Sequence, residues 1–188
     1  MAARRAQRAP LSADRVRDDD HCCPNPREIV GYLPAVKPTW FFAVPRIFEK
    51  LKAGLEAHLA TQGEQTAGWL AAARRKVELE QAGDPVPEDV AATAAEGEAG
   101  LFAGLRTMLG LDEVVSVNVG AAPTPRDVLV LFHAIGIPLS ELWGMSETCG
   151  VGAVNPSAKI RIGTVGPPSN GSRCAWRTTT SCWCEAMS

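Results

Sequence analysis

The sequence has no apolar run near the roughly 20 residues that a membrane-spanning helix needs, and its mean hydropathy is only -0.03. A soluble, cytoplasmic chain without a transmembrane segment is expected. It also lacks an excess of charge of one sign. Nineteen lysines and arginines against 21 aspartates and glutamates give a net charge of -2, which supplies no global attraction to nucleic acid or an anionic membrane. The arginine-rich start is not followed by an apolar stretch, so it does not read as a secretory signal. There is no G-x-x-x-x-G-K-[ST] phosphate loop, no G-x-G-x-x-G fingerprint and no G-x-S-x-G elbow. Histidine is scarce, with three residues, and none of the six cysteines lies in a C-x-x-C pair. Cys22 and Cys23 stand near one end and Cys174, Cys182 and Cys184 near the other, with only Cys149 between. That placement argues against a zinc site or a disulfide framework and for free thiols in a reducing compartment. Cys149 has no histidine partner in sequence, which speaks against a thiol nucleophile.

What is present is a chain of 188 residues, 46% apolar and 21% charged. These values suit one globular domain or slightly more and exclude wholesale disorder or a collagen-like chain. Composition shifts at both ends. Residues 1–21 hold five arginines and four aspartates, and residues 172–188 hold two of the five tryptophans and three of the six cysteines. Neither end shows strand alternation or helical periodicity, so both read as poorly ordered tails.

Between the tails the pattern is regular. Pro34 and Pro38 punctuate the approach to a buried strand over 39–44, and Pro45 opens a helix whose apolar face is Ile47, Phe48, Leu51, Leu55 and Leu59. A second helix spans 66–82 and ends at Gly83-Asp84-Pro85. Residues 88–110 read as helical, weakened by Gly97, Gly100 and Gly104. A β-branched strand covers 114–119, Gly120-Ala121-Ala122-Pro123 turns the chain, and Pro125 starts a helix with Val128, Leu129, Leu131, Phe132 and Ile135 that Gly136 closes. A short strand follows at 141–143. This alternation predicts an α/β layered fold with a largely parallel sheet.

The densest chemistry lies in Leu142-Trp143-Gly144-Met145-Ser146-Glu147-Thr148-Cys149-Gly150. An aromatic ring can stack on a purine, Gly144 admits close backbone approach, the Thr148 hydroxyl can bond a phosphate and Glu147 can hold Mg²⁺. Open α/β sheets bind ligands at such strand ends. The same residues also fit a polar loop after a buried strand with Trp143 in the core, and the residues alone leave both readings open. Gly120, Ala121, Ala122 and Pro123 are a second candidate, equally readable as a tight turn. Ile162-Gly163-Thr164-Val165-Gly166-Pro167-Pro168 reads as a strand ending in a turn. His133 reads as packed or surface histidine, His58 as a solvated helix position and Arg74-Arg75-Lys76 as a wet face.

Four segments in order resemble the adenylate-forming, AMP-binding superfamily, in its long-chain fatty acyl-CoA synthetase branch. Residues 38–52 resemble its strand–helix segment, 118–125 its Gly-Gly-Ala-Pro turn, 142–148 its aromatic-Gly-x-Ser/Thr-Glu-Thr motif and 162–168 its Gly-x-Val-Gly-x-Pro. The resemblance implies an incomplete part of the large N-terminal AMP-binding domain over residues 22–171. It implies that Trp143 stacks on adenine within a nucleotide site that includes Gly144, Met145 and Ser146. Gly120, Ala121 and Ala122 would line the adenine and acyl pocket beside Pro123. Thr148 would contact the AMP phosphate and Glu147 would hold Mg²⁺. The implied reaction joins a fatty acid to ATP as an acyl-adenylate, releasing pyrophosphate, and passes the acyl group to CoA.

The family's Ser/Thr/Gly-rich phosphate loop, ribose-binding Asp and catalytic-Lys domain have no counterpart in these 188 residues, so no adenylation by the chain alone is expected. Aggregation or chaperone binding is expected where sheet edges lie open. The alternative is a non-catalytic module that keeps a nucleotide- or acyl-binding surface. GC-rich codons for 172–188 read one base earlier can encode a sequence resembling the family's next strands. Residues 11–20 read one base later can resemble its upstream segment. Out-of-frame translation would thus account for both tails.

Overall fold

The computed structural model describes residues 25–148 and 150–169, together with the strand backbones of Ala2–Ala3, His21–Cys22, Ser172–Arg177 and Ser181–Ala186. The strands are β1 (Ala2–Ala3), β2 (His21–Cys22), β3 (Trp40–Ala43), β4 (Ser116–Val119), β5 (Leu139–Met145), β6 (Gly150–Val154), β7 (Ser172–Arg177) and β8 (Ser181–Ala186). The helices are α1 (Ile29–Val36), α2 (Pro45–Leu59), α3 (Glu64–Ala82), α4 (Glu88–Gly97), α5 (Ala103–Leu109) and α6 (Arg126–Ala134).

The central sheet has the order β3-β4-β5-β6. Its first two pairings are parallel, with Phe42 level with Asn118 and Asn118 level with Ser140. β6 closes the sheet antiparallel to β5. The expected α/β fold with a largely parallel sheet is therefore present.

Alternation along the parallel strands separates two faces. Phe41, Ala43, Val117, Val119 and Leu139 point to the helices and are fully buried. There Phe48 of α2 meets Phe41 edge-on at 5.9 Å and Phe132 of α6 at 5.5 Å, an arrangement aromatic quadrupoles favour. Pro45 occupies the first turn of α2, where its missing N–H leaves no bond unmade, and Phe48, Leu51, Leu55 and Leu59 are buried at helical spacing. Lys52 reaches Asp127 at 2.5 Å and ties α2 to α6.

The stretch 88–110 is helical throughout, as α4, a π-turn over Glu98–Phe102 and α5. Gly97 and Gly100, which weakened that expectation, lie where a β-carbon would press on the rings of Phe102 and Trp69. These glycines let α4 and α3 approach. Four stretches differ from the sequence reading. α1 continues through Pro34, with Ile29 and Leu33 buried one turn apart. β5 runs from Leu139 to Met145, longer than the expected 141–143. β6 was not expected at all. Residues 162–168 form a turn before Pro168 bridges to Ala153, the reverse of the expected order. The reason is that Asn155 and Gln81 side chains bond the backbone of Arg161 and Ile162, which a neighbouring strand would otherwise do.

The sequence of the tails shows no strand alternation. Among the described residues, β7 and β8 nevertheless pair antiparallel, with Cys174 opposite Cys184, and β1 pairs with β2. Cys23 lies outside the described residues. No described helix is long and apolar enough to cross a membrane.

Phe132→Ala should lower stability by about 3–5 kcal/mol, because it removes the ring that joins Phe48 to the core. Urea unfolding followed by circular dichroism reads this, with the exposed Tyr32→Ala as a near-neutral comparison.

Candidate functional site

Two turns stand at neighbouring strand ends. The first, Gly120–Pro125, leaves β4 and enters α6. Gly120 is buried, with its α-carbon against Leu142 of β5; a β-carbon there would come 2.8 Å from the Leu142 side chain. Ala121 has φ +72°, the left-handed region. In the resembled turn a glycine stands at that position, so Ala121 carries strain that glycine would not. Ala122 and Pro123 are exposed. The Thr124 hydroxyl oxygen is buried with no hydrogen-bond partner among the described residues. An orphaned polar atom at a turn of this kind fits a site for a polar ligand.

The second turn, Ser146–Thr148, joins β5 to β6. Thr148 is 8% exposed. Its hydroxyl accepts from the Met145 N–H at 3.1 Å and lies 2.9 Å from the carbonyls of both Met145 and Gly150. It has one proton and donates to one carbonyl at a time. Thr148 thus locks the turn, and a phosphate contact would require its proton to swing away from a carbonyl. Glu147 is exposed and has no ion-pair or hydrogen-bond partner among the described residues. A single free carboxylate suits Mg²⁺, which takes one or two carboxylates with the rest of its shell from water and substrate phosphates. Cys149 lies outside the described residues.

The second turn begins at a β-bulge. Trp143 pairs with Ala153 and Gly144 with Val151, so Gly152 is the extra residue. The Trp143 ring rests on it, where a β-carbon would come 2.6 Å from the indole. Gly144 in turn lies so close to Gly150 that a β-carbon would overlap the carbonyl.

These features divide the sequence-predicted residues. Ala121, Gly144, Met145 and Ser146 come together around a groove of about 490 Å³, with Trp40, Phe42 and Leu142 of the sheet. Trp143, next along the strand from Leu142, is absent from that lining and lies on the opposite face, over Gly152. Sequence reasoning missed Glu141. Its half-buried carboxylate accepts from the backbone N–H groups of Gly163, at 3.2 Å, and Thr124, and so ties the first turn to the 162–168 loop. Burial pushes its carboxyl up, against those bonds. It also missed Trp40 and Asn118. The signal was a polar Asn in the middle of a β-branched strand. A wider cleft of about 780 Å³ lies between the end of α3 and the 155–167 loop and holds Thr164, Gly166 and Pro167 of the fourth motif but none of the residues singled out as a site.

His133 is packed, as expected, with Nε2 at 2.8 Å from the Leu139 carbonyl. Burial pushes its pKa below the usual 6.5, more than the Leu139 carbonyl and Glu80 raise it. His58 is exposed, and Arg74, Arg75 and Lys76 pair with Glu56, Glu78 and Glu80 on a solvated face.

The family model described as "AMP-binding enzyme" matches residues 16–175. The chain belongs to the AMP-binding enzyme family. It is 37% identical over 145 residues to the Mycobacterium tuberculosis H37Rv protein named fatty-acid–CoA ligase fadD11, covering 74% of this chain and 25% of that protein. It is 30% identical over 146 residues to long-chain-fatty-acid–CoA ligase ACSBG2 of Rattus norvegicus, covering 76% and 22%. Against long-chain-fatty-acid–CoA ligase FadD15 of Mycobacterium bovis the identity is 29% over 147 residues, covering 77% and 24%. The chain thus spans about a quarter of the length of these relatives.

Within this AMP-binding segment, Ala121→Gly should raise stability. Relief of the left-handed strain, about 1–2 kcal/mol, exceeds the roughly 0.4–1 kcal/mol of added unfolded-chain entropy. A higher urea midpoint is the expected reading. His133 gives a second expectation. Its folded pKa is depressed, so below pH 6.5 the unfolded chain takes up a proton that the folded chain refuses. Stability should therefore fall as pH drops through that value, and His133→Gln should lose less between about pH 7.5 and about pH 5.

Proposed function

We propose that this chain supplies the central part of the acyl-adenylate site of a long-chain fatty-acid–CoA ligase. The carrying observation is that two turns at adjacent strand ends border one apolar groove, with the exposed Glu147 next in sequence to Ser146 of its lining. The names of the relatives support the choice of a fatty acid. On this reading Gly120, Ala121, Ala122 and Pro123 border the nucleotide and the acyl group with Gly144, Met145 and Ser146. Trp143 offers its indole to adenine from the other side of β5. Glu147 would hold Mg²⁺ against the phosphates, and Thr148, released from one carbonyl, would donate to the phosphate that becomes AMP. Fixed donors and a metal at a developing phosphoryl charge are what such a reaction asks of a protein. ATP, a fatty acid and CoA are the substrates. The 188 residues contain no phosphate loop, so the nucleotide is held on one side and these residues alone catalyse no adenylation.

The flanks, 1–21 and 172–188, belong to this proposal as translation out of frame; resequencing the coding DNA past both ends tests that part. The catalytic roles are tested by replacing the matching segment of the Mycobacterium tuberculosis relative with residues 25–169. Palmitate-dependent ATP–pyrophosphate exchange is then measured. Glu147→Ala should lower the rate about 100-fold or more, and Cys149→Ala should leave it nearly unchanged. Equal losses would overturn the assigned roles.

A further inference from the structure

The groove face of the sheet carries a polar relay that nothing in the proposed chemistry uses. The Trp40 indole N–H donates to Asn118 Oδ1 at 2.7 Å, and Asn118 Nδ2 donates to Ser140 Oγ at 2.6 Å. Ser140 donates onward to the Val117 carbonyl at 3.3 Å, and Ser116 Oγ donates to Asn118 Oδ1 at 3.3 Å. Asn118 is 4% exposed and Ser140 fully buried. The indole also stacks on Phe42, with centroids 6.5 Å apart and planes 13° from parallel. A tryptophan bonded at its nitrogen and stacked along its ring is held in one orientation.

The register fixes where it stands. Trp40 is level with Ser116, two residues below Phe42, Asn118 and Ser140, whereas Met145 and Ser146 lie past the top of β4. At about 3.3 Å per residue the groove runs roughly 20 Å along β5, from Trp40 to Met145. Its two ends differ in chemistry. The relay satisfies its own polar atoms, so the lower end presents aromatic carbon. The upper end presents the exposed Ser146 side chain and the Ala121 turn. A linear amphiphile fits only one way, with its carboxyl end up and its methyl end down.

We propose that Trp40, held by Asn118 and Ser140, is the floor that sets how long an alkyl chain this site accepts. The inference rests on the fatty-acid reading above and assigns the chain-length determinant to one residue of this segment. Each methylene that enters the groove should tighten binding about fourfold, the equivalent of about 0.8 kcal/mol. The gain should stop where the methyl end meets the indole.

The experiment measures displacement of 11-(dansylamino)undecanoic acid from the 188-residue chain by saturated fatty acids of increasing length. Circular dichroism and a thermal melt confirm folding of every variant. In the wild type, affinity should climb with length and then break to a plateau. Trp40→Ala should move the break at least two methylenes further, two more fourfold steps. Trp40→Phe keeps a ring but loses the N–H to Asn118; it should move the break less, and it serves if the alanine variant does not fold. A break that stays at the wild-type length in either folded variant overturns the role of Trp40 while leaving the fatty-acid reading in place. No displacement by any fatty acid from the folded wild type overturns both.

Discussion

In a parallel sheet successive residues face opposite sides, so a one-residue slip of β4 would carry Val117 and Val119 out from under α2 and α6. The same slip would put Asn118 among Phe41, Phe48 and Phe132. An unpaired amide there costs about 1–3 kcal/mol, beyond the lost apolar burial. Register is therefore specified twice, by apolar contacts on the helix face and by the Trp40–Asn118–Ser140 bonds on the other. The two turns inherit their positions from it. Gly120 meets Leu142 only because Val119 is level with Glu141.

The turns keep their shape by opposite means. Ala121 sits in a backbone region that an L-residue resists and is held there by what surrounds it: Gly120 packed on Leu142 before it, and Thr124 bonded to Glu141 after it. Thr148 instead gathers its own turn, accepting from one backbone N–H and facing two carbonyls. The first turn stores strain; the second satisfies its own bonds. A ligand that offered the Thr148 proton a charged oxygen would exchange a neutral acceptor for a stronger one.

Much of this was legible in the sequence. Pro45 after an apolar run, the Phe48–Leu51–Leu55–Leu59 spacing, Gly83 after Ala82 and the β-branched run before Gly120 each state a local preference that the fold obeys. What was not legible depends on partners distant in the chain. β6 is Gly-Val-Gly-Ala-Val, weak as a strand by itself, and it exists because β5 outruns β4 and offers it an edge. α1 tolerates Pro34 because Ile29 and Leu33 are buried on one face. Asn118 reads as a blemish in a strand until Trp40 and Ser140, 78 and 22 residues away, are placed beside it. Glu141 likewise looks like an ordinary strand residue, and only the arrival of Gly163 gives its carboxylate a role.

The bulge at Gly152 does what neither motif could do by spacing alone. Strict alternation along β5 would send Leu142 and Gly144 to the groove and Trp143 and Met145 to the helix face. Met145 instead lines the groove together with Gly144 and Ser146, while Trp143 stays behind on the other side. One extra residue on the partner strand twists the end of β5, which is how three consecutive residues come to border one cavity. That twist needs a residue without a β-carbon beneath the indole, and Gly152 supplies it. The aromatic ring and the backbone it precedes thus reach opposite sides of the strand end.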